Sequence, residues 1–68
     1  MIAQQQRYEI RVRGRLSDAA ISAFDGLEAD VVPAETVLRG PADQARLQSL
    51  LEQVRSLGLE LLELRRLP

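Results

Sequence analysis

The chain has 68 residues, 46% of them hydrophobic and 28% charged, with a net charge of −1; this is the composition of one small folded domain, not of a disordered tail. It contains no cysteine, so neither a disulfide nor a thiolate metal site can staple the fold, and its charge balance supplies no long-range field for nucleic acid or an anionic membrane. No stretch approaches the roughly 18 consecutive apolar residues of a membrane span, and no basic segment leads into an apolar one, so a cytoplasmic location is expected.

Residues 1–6, MIAQQQ, carry no pattern and read as a flexible leader, which leaves residues 7–68 as a single small α+β domain. From Tyr8 to Leu16 the chain alternates with period two, the signature of a half-buried strand. Tyr8, Ile10, Val12, Gly14 and Leu16 fall on one side, and Glu9, Arg11, Arg13 and Arg15 on the other. Ser17 is a good N-cap, Asp18 suits the positive first turn, and Gly26 can take the left-handed conformation that ends a helix. A short helix is therefore expected, with Ala20, Ile21, Phe24 and Leu27 as its apolar stripe.

The β-branched pairs Val31-Val32 and Thr36-Val37 flank Pro33-Ala34-Glu35, which predicts two short strands joined by a tight turn. Pro33, lacking an N–H, makes residues 29–33 an edge strand. Gly40-Pro41 closes the second of these strands, and Pro41 suits the first turn of a second helix. Within that helix Leu47, Leu50, Leu51, Val54 and Leu57 follow the 3.6-residue stripe, with Ala42 and either Ala45 or Arg46 ahead of them. Gly58 stands where a left-handed cap belongs, and Leu59 just beyond it can pack back onto the helix.

The tail LELLELRRLP reads as a final strand, because Gly58 has just stopped the helix. Two registers compete here: one sets Leu62 and Leu64 against Leu61, Glu63 and Arg65, and the other buries Leu59 and Leu61. The whole order is β-α-β-β-α-β, the ferredoxin-like split motif. Right-handed crossovers then place both helices on one face of a four-stranded antiparallel sheet, with the last strand beside the first and the other face open. The runs RYEIRVRGRL, AFDGL, TVLRGP, DQARL and VRSLGLEL resemble those of a group of small bacterial proteins of uncharacterised function. The resemblance spans residues 7–67 and implies a shared fold, with no activity, substrate or catalytic residue attached.

Histidine and lysine are absent along with cysteine, so Ser17, Ser22, Ser49 and Ser56 have no side-chain base to activate them and nucleophilic hydrolysis is not expected. Asp25, Glu28 and Asp30 gather after the first helix, and Glu60 and Glu63 lie on the last strand; neither group has the spacing of a cation loop, and both read as solvated charges. No Gly-rich phosphate loop is present, and no cofactor is expected. All nine basic residues are arginine, which fits either a GC-rich genome or a use for bidentate contacts.

The candidate interaction face consists of Arg11, Arg13, Arg15, Val37, Leu61, Glu63 and Arg65, with Val31 as a further neighbour. An RNA-recognition sheet of this topology stacks bases on aromatic residues, and Tyr8 falls on the opposite parity, so nucleic-acid binding through the Arg11, Arg13 and Arg15 row is disfavoured. Cross-strand pairing with Glu63 would instead leave the face solvated and internally satisfied. A third reading makes it the contact of a homodimer or a protein partner, since arginine is enriched at such interfaces. A 68-residue domain buries only about 60% of its unfolded surface, so self-association, through the open face or through a strand edge, would add to a thin core. A small-molecule-sensing module with its ligand between subunits is the alternative from another class.

Overall fold

The computed structural model describes residues 5–68. Its elements are β1 (Gln6–Arg13), α1 (Asp18–Ser22), β2 (Glu28–Val32), β3 (Glu35–Ala42), α2 (Gln44–Ser56) and β4 (Leu61–Leu67). All strand pairings are antiparallel, and the strands lie in the order β2-β3-β1-β4, so β1 and β3 are central and β2 and β4 are the edges. This is the expected α+β arrangement. Of the expected leader, residues 1–4 lie outside the described residues, and Gln6 already belongs to β1, opposite Ala42.

One face of the sheet carries the core. Ile10 and Val12 from β1 and Leu38 and Ala42 from β3 meet Phe24 beyond α1 and Leu47, Leu50 and Val54 from α2. Ala20, Ile21 and Ala23 pack against the same cluster, so both helices cover the same face. The parity of β1 read from the sequence is the parity of the structure, with Tyr8 on the helix side. The strand is shorter than the alternation suggested, however: it stops at Arg13 because Gly14 turns into the left-handed region at φ 93°. Leu16 is still buried, held from the loop rather than from the strand. Thr36, fully buried on β3, fastens that loop: its hydroxyl donates to the Gly14 carbonyl (2.8 Å) and accepts from the Leu16 amide (3.1 Å).

Local signals set the helix ends. The Ser17 side chain accepts from the Ala20 amide at 3.2 Å, and the Asp43 side chain accepts from the Arg46 amide at 2.8 Å. Asp43 is therefore the N-cap of α2, which corrects the expectation that the helix begins at Pro41. Pro41 is instead a β3 residue opposite Arg7, beyond the last β2 pairing, where β3 has a strand neighbour on one side only and a missing N–H is tolerated. At the other end of α2, Gly58 (φ 71°) is followed by Leu59, whose amide donates to the Val54 carbonyl, while the Gly58 amide donates to that of Arg55. These two bonds form a Schellman cap, and Leu59 packs onto the core as that motif requires. The β2–β3 turn is made by Pro33 and Ala34, with Ala34 at φ 67° where glycine would be the easier residue.

β4 resolves the competition between registers by using both. Glu63, Leu64 and Arg65 lie opposite Arg11, Ile10 and Glu9, but Leu61 lies opposite Val12, so Leu62 is an extra residue in a β-bulge. Across the bulge, Leu61 and Leu64 both come to the helix side.

Candidate functional site

The open face is built from odd-numbered positions of the two central strands. Glu9, Arg11 and Arg13 of β1 lie opposite Arg39, Val37 and Glu35 of β3, and Arg65 and Glu63 of β4 flank Glu9 and Arg11 on the other side. On the outer side of β3, Asp30 of β2 lies opposite Val37 and Glu28 opposite Arg39. Charges of opposite sign are thereby interleaved across all four strands.

Glu9 is the centre. It is only 4% exposed, and its carboxylate meets three guanidinium groups: Arg39 Nε at 3.0 Å, Arg11 at 3.5 Å and Arg65 at 3.9 Å. The hydrogen bond from Arg39 holds the Glu9 carboxyl below its ordinary pKa; burial works against this, and the charges of Arg65, Arg11 and Arg39 reinforce it. Arg39 reaches on to Asp30 at 2.8 Å, and Arg11 donates to Glu35 at 2.8 Å while standing 3.6 Å from Glu63. These contacts raise the pKa of both arginines, led by the Glu35 bond for Arg11 and the Glu9 bond for Arg39. Arg13 pairs at 2.8 Å with Glu60, just ahead of β4, and that bond raises its pKa as well.

Beneath this lattice Val37 is 1% exposed, although both described helices lie on the opposite face of the sheet. Its cross-strand neighbours are Arg11 and Asp30, and the charged ends of Arg11 and Arg39 reach carboxylates on the adjacent strands. Glu9 Oε2 and Arg11 Nε are buried without a hydrogen-bond partner, and each faces an opposite charge at 3.5 to 3.6 Å.

The structure brings together Arg11, Arg13, Val37, Glu63 and Arg65 of the expected face and separates three residues from it. Leu61 is corrected to the helix side by the β4 bulge, where with Leu51, Val54, Arg55 and Leu59 it lines a groove of about 370 Å³. Val31 is corrected to the same side, since it lies opposite Thr36 of the core face. Arg15 falls beyond the end of β1, and with Val31, Val32, Pro33 and Ala34 it lines a hollow of about 380 Å³. The arginines of this face pair with Glu9, which shares the parity of their row, and with Glu35 and Glu60, which lie outside the expected set, as do Arg39 and Asp30, which extend the lattice from Glu9. The only sequence signal for these partners was the parity of Glu9 with the arginine row.

The two sheet edges differ. β2 is five residues long, presents Glu28 and Asp30 toward the open face, exposes Val31 and Val32, and runs into Pro33. β4 is seven residues long, has no strand on its outer side among the described residues, and exposes Leu61 (43%) and Leu64 (38%). Among the described residues there is no group of three or more acidic side chains that could hold a metal ion, and no helix long and apolar enough to cross a membrane.

The chain belongs to a family described as a domain of unknown function (DUF8691), whose model matches residues 7–65, a span that takes in all six elements apart from Gln6 and the last residues of β4. No curated protein and no solved structure matches it.

Proposed function

We propose that this domain is a non-enzymatic, cytoplasmic interaction module that acts as a homodimer, joined along the edge of β4 rather than across the open face. The observation that carries this reading is the contrast between the two surfaces. The open face has its arginines engaged by its own carboxylates, at 2.8 to 3.0 Å for Arg11, Arg13 and Arg39, whereas β4 offers an unpaired backbone edge beside two exposed leucines. A strand edge of this kind is a ready template for another strand, and a closed pairing with a second copy satisfies it. The absence of histidine, cysteine and lysine supports the non-enzymatic part. The same engagement of arginine argues against a polyanion partner, which would have to displace Glu9, Glu35, Asp30 and Glu60 first.

Sedimentation at micromolar concentration tests the reading. A dimer is expected, unchanged by Arg13→Glu on the open face and converted to monomer by Leu64→Arg on the edge. A stable wild-type monomer, or a dimer that Arg13→Glu dissociates and Leu64→Arg leaves intact, would overturn it.

A further inference from the structure

Within β4, LLELRRL, only one antiparallel self-pairing sets opposite charges face to face, and that register identifies what the edge pairs with. We infer that two copies join β4 to β4 about a two-fold axis midway between their two Leu64 residues, making one continuous eight-stranded sheet with all four helices on the same side. This rests on the proposed edge dimer and adds its geometry.

The argument begins with symmetry. A two-fold axis that joins two strands into one continuous sheet stands perpendicular to it, so every side chain keeps its face. Paired residues must also share a face in an antiparallel ladder, and neighbours along a strand point to opposite faces. The axis must therefore pass midway between one residue and its own copy, which lie directly opposite each other. Centring on Glu63 sets carboxylate against carboxylate, and centring on Arg65 or Arg66 sets guanidinium against guanidinium, each destabilising when directly opposed. Centring on Leu62 falls on the bulge, where the ladder is irregular.

Centring on Leu64 removes these conflicts. Leu64 meets Leu64 on the helix side, and Glu63 meets Arg65 twice on the open face. Glu63 and Arg65 are free to make these contacts: their side chains are 46% and 54% exposed, and their contacts within the chain, at 3.6 Å to Arg11 and 3.9 Å to Glu9, are the loosest of the open-face pairs. The charge pattern of the open face thus continues across the joint, with Glu9, Arg65 and the second copy's acidic position in sequence. The edge of β2 has no charge-matched solution: centring on Asp30 opposes Asp30 to itself, centring on Ala29 opposes Glu28 to Asp30, and centring on Val31, although exposed and apolar, sets Asp30 against Val32 and runs into Pro33. Exposed leucine at the centre and opposite charges on both flanks commit β4 to a second copy of itself.

The natural chain lacks cysteine, so single cysteines report the register directly. Opposed residues in an antiparallel pair have Cα atoms about 4.5 to 5.5 Å apart, within the reach of a disulfide. Under mild oxidation Leu64→Cys should convert nearly all of the protein to a covalent dimer. Glu63→Cys alone and Arg65→Cys alone should crosslink at least tenfold more slowly, because each would lie two residues out of register from its own copy, beyond the roughly 7 Å limit. An equimolar mixture of those two should crosslink to the mixed dimer. If sedimentation shows a dimer but Glu63→Cys or Arg65→Cys alone crosslinks as fast as Leu64→Cys, the register is wrong and the edge dimer stands. If sedimentation shows a monomer and Leu64→Cys crosslinks no faster than an exposed control such as Ser49→Cys, both the register and the dimer are wrong.

Discussion

On the helix side of the sheet, Ile10, Val12 and Leu38 are sealed by Phe24 and the leucines of α2; on the open side, Val37 and Glu9 are nearly as inaccessible within a lattice of paired charges. The first seal is apolar and insensitive to salt and acidity. The second is conditional: it depends on guanidinium groups that are held by carboxylates on the neighbouring strands. A single sheet therefore shows two ways of excluding water, one set by hydrophobic area and the other by charge order across strands.

Three substitutions separate these two seals, beginning with the largest effect. Phe24→Ala opens the centre of the helix-side core and should cost about 3 to 5 kcal/mol, read as a lower midpoint in urea that salt does not restore. A loss below about 1 kcal/mol would mean that the helices contribute less to the seal than their contacts imply. Thr36→Val keeps the shape of a buried side chain but strands the Gly14 carbonyl and the Leu16 amide, a loss of about 1 to 3 kcal/mol. Because that hydroxyl fastens the β1–α1 loop, amide exchange at Leu16 should accelerate more than exchange in β3.

Glu9→Gln probes the open face and should have the smallest effect at neutral pH, a fall of a few degrees in melting temperature. Its signature is in acid. The Glu9 pKa is lower in the folded chain than in the unfolded one, so its contribution is complete above the unfolded value and is lost as pH falls through the folded value. The wild type should therefore lose stability more steeply below about pH 4 than Glu9→Gln does. Parallel acid profiles for the two proteins would show that the lattice is not closed by the Glu9 carboxylate.

The same contrast explains what was legible in the sequence. Alternation from Tyr8 to Val12 revealed which side of β1 meets the helices, because apolar burial writes itself at every second position. Ser17 and Gly58 marked helix ends because capping is a matter of neighbouring residues. The open face was legible only in part, since parity put Glu9, Arg11 and Arg13 in a row but could not say that Arg39 and Arg65 close over Glu9 from the adjacent strands. Leu61 was misplaced because the β4 bulge arises from pairing with β1, and nothing within LLELRRL marks where the ladder slips. Pro41 was assigned to the helix because a proline at a helix start and one in a strand without an outer neighbour look alike in one dimension.

The central claim is that the open face is closed within one chain while β4 is closed by a second. Amide hydrogen exchange, followed from low to high protein concentration, tests it most directly. The account predicts that protection of β4 amides rises with concentration, centred on residues 63–65, while the β2 edge stays unchanged. Protection that appears at β2, or β4 exchange that is the same at every concentration, would contradict it.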